Sequence, residues 1–303
     1  MRFSYGGQAL IEGVMIRGQG GVSVAVRNPE GRIITHTERL TGGVYRSPIG
    51  RLPFVRGVLA LWETLTVGTR MLLFSASVAA GLSKDDEPPA VVTGTVATTL
   101  AISVAFFFIA PSLLLNRASK RIGSPLASNA LEGFVRLGMF VGYIGLISRL
   151  DNIKRVFAYH GAEHKAVHAV EHHVPLTAAS VQQFPTAHPR CGTAFLLQMM
   201  VLSAIVFSLF GRPTLGKRIL LRVVLVPVLS SLSYELLRLG ARGEGNPITK
   251  LFVGPGLALQ KLTTREPDDA QVDVAVAAMR GALALDDVAV GDDGVAVIEE
   301  ELV

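Results

Sequence analysis

Residues 90–115, AVVTGTVATTLAISVAFFFIAPSLLL, contain no charged side chain, and as a helix they are long enough to cross a hydrocarbon layer about 30 Å thick. That stretch decides the expected class, an integral membrane protein. It follows a polar break, Lys84-Asp85-Asp86-Glu87-Pro88-Pro89. Beyond it, residues 131–149 are apolar, with Glu132 and Arg136 near one end and Arg149 at the other. Residues 194–211 and 219–237 are two further candidates, separated by the basic turn Arg212–Arg218. The expected fold is therefore mainly α-helical, with about four transmembrane helices between residues 90 and 240. Lys and Arg in the loops Asn116–Arg121 and Arg212–Arg218 favour the cytoplasm for those loops. The expected location is the plasma membrane. An N-terminal module without a signal peptide also favours the cytoplasm, and with four spans both placements cannot hold. The histidine-rich region is expected on the cytoplasmic side, the alternative being a crossing helix from Pro53 that satisfies both loops and moves this region outside.

The totals agree with this class. Half of the 303 residues are apolar, 17% are charged and the mean hydropathy is +0.44, too apolar for an ordinary soluble enzyme. The net charge of +5 is spread along the chain, without the dense basic tract and interleaved aromatics of a nucleic-acid groove, so no nucleic acid is expected as a partner. Membrane lipid is, and self-association into a homo-oligomer is compatible with the composition. A single cysteine, Cys191, excludes an internal disulfide and suits a reducing compartment or a metal site. The opening residues place Glu12 inside their apolar stretch and show no cleavage site, so no signal peptide is expected.

Residues 1–52 read as a small β-rich module: VSVAVRNPEGRIITHTERL predicts two strands joined by a turn at Asn28-Pro29-Glu30-Gly31. Residues 53–82 predict an amphipathic helix, in which Arg56, Glu63 and Arg70 recur every seven residues along one stripe. Such a helix lies on a membrane surface, the reading favoured here, or spans with its charges turned inward. In the C-terminal segment 241–283, Pro267, Asp268 and Asp269 predict a helix start and Gly281 its end. Residues 284–303 are acidic and low in complexity, the composition of a disordered tail.

Five of the seven histidines lie between residues 160 and 173, in the His-rich loop 150–193, within YHGAEHKAVHAVEHH. On a helix His160 and His164 stand one turn apart on the same face, where two imidazoles can share an ion. His160-Gly161-Ala162-Glu163-His164 is a literal H-x-x-E-H, the pattern in which two histidines bind zinc and the glutamate activates water. His188-Pro189-Arg190-Cys191 adds an imidazole and a thiol three residues apart. The expected ligands of a divalent ion, zinc by its donor types, are thus His160, His164, His188 and Cys191, with Glu163 as the catalytic base. Three ligands would leave an open position; four would close the site. His168, His172 and His173 are expected to be solvated or interfacial, because successive steps of four drift about 40° around the axis. Arg190 is a candidate contact for an anionic substrate or headgroup. Glu12, a carboxylate in a glycine-rich apolar stretch, is a candidate ligand or base, or else a structural partner of Arg17. Glu235, closing an apolar span, is a candidate oxygen ligand.

Four ordered segments, GGQALIEGVMIRG, YHGAEHKAVHAVE, HPRCGTAFL and PGLALQKLTTREPDDAQVDVA, resemble the bacterial YqhQ-like membrane proteins, domain of unknown function 1385, described as predicted metal-dependent enzymes. The resemblance runs from about Tyr5 to about Ala282. It implies a membrane location and a metal site at His160, Glu163, His164, His188, Arg190 and Cys191, with Glu12 in the first segment; it implies no substrate. The expected function is a membrane-embedded metal-dependent hydrolase acting on a protein or lipid substrate. The alternatives are a metal-stabilised scaffold or assembly factor, and a metal or proton transporter.

Overall fold

Four short β-rich runs near the N-terminus form an antiparallel sheet in simple sequence order: β1 (Gly6–Leu10), β2 (Gly13–Arg17), β3 (Gly21–Arg27) and β4 (Ile33–Arg39). The computed structural model describes residues 5–40, 50, 52–82, 94–95, 98–99, 101–103, 105–111, 114–115, 122–211, 215–242 and 247–297. Much of the uncharged stretch 90–115, the basic loop 116–121 and residues 212–214 lie outside them. The expected turn joins β3 to β4, with Gly31 at φ +80° and its N–H donating to the Asn28 carbonyl at 2.9 Å. A side chain at that φ would be strained, which is why the position suits glycine.

The sheet is buried on both faces. Alternation sends Val14, Ile16 and Ala25 to one side and Leu10, Met15, Val22, Val24 and Val26 to the other. The first face packs on α3 (Asp151–Glu171) and α8 (Asp269–Leu285), and the second on Val67, Met71 and Val78 of α1 (Val55–Ala79). Helix α8 starts at a capping box formed by Asp268 and Gln271. It does not stop at Gly281: a methyl group there would come 2.2 Å from Ser23 Oγ, so this glycine lets the helix lie close against β3. Residues 286–297 follow a defined path rather than the disordered tail expected from composition. Val290 bridges Ala296, Gly294 O accepts from Leu176 N at 2.8 Å, and Ala296 is buried. The few apolar residues among the acids are what anchor it.

The other helices are α2 (Pro125–Ile147), the short α4 (Ala178–Val181), α5 (Gly192–Ser208), α6 (Leu215–Arg242) and α7 (Pro247–Thr263). They meet through small residues. A methyl on Gly57 would lie 2.6 Å from Ser231 Cα, one on Gly133 2.4 Å from Ala204 Cβ, and one on Gly256 2.5 Å from Ala194 Cβ. In this part charges turn inward and apolar side chains outward. Arg136 is buried, bonded to Glu132 at 2.8 Å and to Phe107 O at 3.1 Å, while Phe134 is 72% and Leu209 73% exposed.

Helix α1 joins the two parts, with a π-helical turn at Thr64–Gly68. Its stripe faces the protein: Arg56 binds Glu235 of α6, Glu63 binds Arg17 of β2, and Arg70 binds Glu38 of β4. Trp62 and Leu65 on the same helix are 63% and 54% exposed. Partners on three other elements take up these charges; Arg56 and Glu63 are largely enclosed, whereas Arg70 keeps 56% of its side chain exposed. Glu235 is thereby occupied by Arg56, with Nε to Oε1 at 2.6 Å, and is not an oxygen ligand for the histidines.

Among the described residues two helices are long and apolar enough to cross a membrane by length and composition, Val55–Ala79 and Pro125–Ile147, and the expected span 90–115 lies mostly outside those residues. Of the other expected spans, Gly192–Ser208 is apolar but shorter, and α6 carries Pro227 and several basic residues.

Candidate metal centre

The middle of α3 is buried nearly all round, from Ala158 to Val170, and its Ala and Gly residues allow that enclosure. Gly161 matters most, because a methyl there would come 2.2 Å from Arg265 O. The segment after α7 therefore lies directly on the H-G-A-E-H turn, held by a 2.9 Å bond from Arg265 N to Phe157 O. Residues 150–193, expected as a loop, are thus largely helix α3 followed by a compact connection.

That close packing fixes the imidazoles. His160 Nδ1–H donates to Thr263 O at 2.8 Å and His164 Nδ1–H to Thr186 O at 2.6 Å, since a carbonyl can only accept. In its neutral form each ring then carries its lone pair on Nε2. His160 Nε2 lies 3.2 Å from Cys191 Sγ, while the buried His164 Nε2 makes no hydrogen bond. The ligand atoms of His160, His164 and Cys191 all lie within 4.8 Å of one another, and all three residues are buried. Backbone carbonyls that hold Nδ1–H and aim Nε2 at a common point are the outer support typical of metal-bound histidine. A buried nitrogen without a hydrogen-bond partner is costly. The residues present therefore fit a divalent ion.

Cys191 sits at the N-cap of α5, its sulfur accepting from Thr193 N at 3.4 Å. Glu163 is buried, with Oε2 4.0 Å from His160 Nε2. Burial raises its pKa, opposed by His160, by His188 and by the Gly7 N–H that donates to it. A methyl on Gly7 would lie 3.1 Å from Glu163 Cγ, so β1 forms the wall behind the carboxylate. Burial lowers the pKa of His164, the dominant effect, against the nearby Cys191 thiol. The ring is neutral at physiological pH, the form that ligates.

His188, expected to complete this ligand set, falls instead in a second group with His168 and Glu171, whose ligand atoms also lie within 4.8 Å of one another. The two groups adjoin, since the His164 and His188 ring centroids are 5.7 Å apart. His168, expected to be solvated or interfacial, is half-buried: its Nε2 bonds Ala187 O at 2.9 Å, and burial pushes its pKa down to about 4. His172 and His173 are exposed, as expected. Arg190 forms an ion pair with Glu171. Glu12, at φ +52° in the β1–β2 turn, binds Arg155 Nε at 2.7 Å and Tyr159 Oη at 3.2 Å. Its partner is Arg155 rather than Arg17, it belongs to neither group, and it ties the sheet to α3.

Two supports of these groups are not legible in the sequence. Gln260 of α7, fully buried, clamps the His188 backbone from both sides, accepting from N at 2.8 Å and donating to O at 2.9 Å. Gly7, whose N–H donates to Glu163, sits in a glycine-rich stretch whose sequence does not reveal that link. A glutamine amid an apolar helical run is a detectable signal; which residue it serves is not.

The profile of the family described as "Protein of unknown function (DUF1385)" matches residues 52–285. The chain is 32% identical over 296 residues to "Uncharacterized protein YqhQ" of Bacillus subtilis (strain 168), covering 93% of each chain. No solved structure matches it at a significant level. The profile match begins at residue 52, after the sheet, whereas the similarity to the Bacillus protein covers nearly the whole chain. The chain belongs to the DUF1385 family.

Proposed function

We propose that this protein is a membrane-embedded, metal-dependent hydrolase whose centre is His160, His164 and Cys191. The observation that carries the reading is the unpartnered Nε2 of His164, buried beside His160 Nε2 and Cys191 Sγ. Two imidazoles and a thiolate favour zinc over hard cations such as magnesium. When bound, the ion would supply Lewis acidity for attack by water. Three protein donors, rather than four, leave room for a reacting group. Glu163 is the base that receives a proton from the attacking water; burial raises its pKa, and the Gly7 N–H orients it. Thr263 and Thr186 carbonyls hold the histidine tautomers, and Gln260 holds the backbone of His188.

The membrane assignment is supported by the inverted packing of the helical part. Paired charges and glycine contacts lie inside, with large apolar side chains outside, which suits lipid as the surrounding solvent. A second reading, a structural metal pin, is favoured by the burial of all three donors.

The test uses the full chain purified in detergent and loaded with Co2+. Wild type is expected to show a thiolate-to-cobalt charge-transfer band that His164→Ala abolishes. Glu163→Gln should keep the band and the melting temperature while abolishing hydrolysis in a substrate screen. A Glu163→Gln protein that loses both band and stability makes the site structural, and wild type without the band removes the ligand assignment.

A further inference from the structure

We infer that His168, Glu171 and His188 form a second divalent-cation site beside the first, making the centre binuclear. The inference rests on a different set of side chains and stands whether or not the first site is catalytic. Helix α3 carries both halves: His160 and His164 belong to the first group, and His168 and Glu171, one turn further on, to the second. The rings form a continuous row, with centroid separations of 4.4 Å for His160 and His164, 5.7 Å for His164 and His188, and 4.6 Å for His188 and His168.

The hydrogen bonds leave the needed lone pairs. His168 donates its Nε2–H to Ala187 O at 2.9 Å, so Nδ1 is the ligating nitrogen. Glu171 is divided between two donors: Oε1 meets the Arg190 guanidinium, and Oε2 lies 3.2 Å from His188 Nε2. A cation replaces the proton now shared between His188 Nε2 and Glu171 Oε2. The ring proton moves to His188 Nδ1, which gives up a 3.3 Å contact from Arg190 N. That proton is not lost from the ring and the contact given up is long, so the exchange is inexpensive. Gln260 keeps the His188 backbone fixed throughout. Arg190 is then a positioning residue that orients Glu171, which accounts for its presence in the H-P-R-C segment.

Two imidazoles and a carboxylate form a harder donor set than two imidazoles and a thiolate, so this site accepts zinc, cobalt or manganese. The cysteine provides the means of telling the two apart, since only the first site can give the cobalt–thiolate band. Full-length protein in detergent, loaded with Zn2+ and desalted, is expected to hold two equivalents by elemental analysis. His168→Ala and Glu171→Gln should each hold one, with the cobalt band unchanged. His164→Ala should also hold one, without the band. Two variants are used because Glu171→Gln also releases Arg190, and apo-protein melting curves verify that each folds. Zinc content equal to wild type in both His168→Ala and Glu171→Gln overturns the second site and leaves the first standing. One equivalent lost in His168→Ala but none in His164→Ala overturns the first and supports the second.

Discussion

The sheet-containing part and the helical part obey opposite packing rules. Around the sheet, apolar side chains such as Val14, Ile16, Val272 and Met279 are fully buried, as water requires. In the helices α2, α5 and α6, Phe134, Leu146, Ile205 and Leu239 are more than half exposed, while Arg136 is buried against Glu132. One chain thus carries two packing patterns, and α1 passes from one to the other. Its Arg56 pairs within the helical part and its Arg70 pairs at the sheet. The difference teaches that the same type of interaction has different worth on the two sides.

The sharpest test compares those two arginines. Arg56→Met takes from Glu235 the cation it is hydrogen-bonded to and is expected to cost about 3 kcal/mol. Arg70→Met, at a pair whose side chains are 56% and 32% exposed, should cost under about 1 kcal/mol. Unfolding of both variants in detergent micelles measures this, and equal losses would erase the distinction between the regions.

Phe134 probes the outward face directly. Phe134→Asp should cost about 2 to 3 kcal/mol of membrane insertion, read as loss of the chain from the carbonate-resistant membrane fraction. If lipid does not surround α2, an aspartate at a position 72% exposed is harmless, and the variant stays as abundant and as stable as wild type.

The smallest effect is expected where the sheet meets α3. Arg155, through its hydrogen bonds, lowers the pKa of Glu12. A carboxylate with a lowered folded pKa stabilises fully above its unfolded value and loses that contribution as pH falls through the folded one. Glu12→Gln should therefore lower the melting temperature slightly at pH 7, and the gap from wild type should close in acid. With the Glu12 side chain 27% exposed, the effect is under about 1 kcal/mol. A gap that persists unchanged in acid would mean that the turn geometry, rather than the ion pair, matters at this position.

What could be read without coordinates was local. The one-turn spacing of His160 and His164 and the position of Glu163 between them follow from helical geometry. The β3–β4 hairpin follows from alternation and the Asn-Pro-Glu-Gly turn. The heptad spacing of Arg56, Glu63 and Arg70 defined a stripe but not its direction, because periodicity alone cannot distinguish water outside from lipid outside. The ordered path of residues 286–297 was hidden by their acidic composition, since anchoring depends on a few residues such as Ala296 meeting the core.

The sequence by itself determined that an H-x-x-E-H turn and a single thiol were available for a metal, because ligand type and i, i+4 spacing are covalent and helical facts. Only the tertiary structure decided how they were shared out. Cys191 joined His160 and His164, His188 went to His168 and Glu171, and Glu12 was drawn to Arg155. Those partners lie 17 to 143 residues apart, so their meeting depends on how Gly161 admits the segment after α7, how Gln260 grips residue 188 and how the sheet packs on α3. Contacts across such separations are set by the packing of whole elements, which no local spacing encodes.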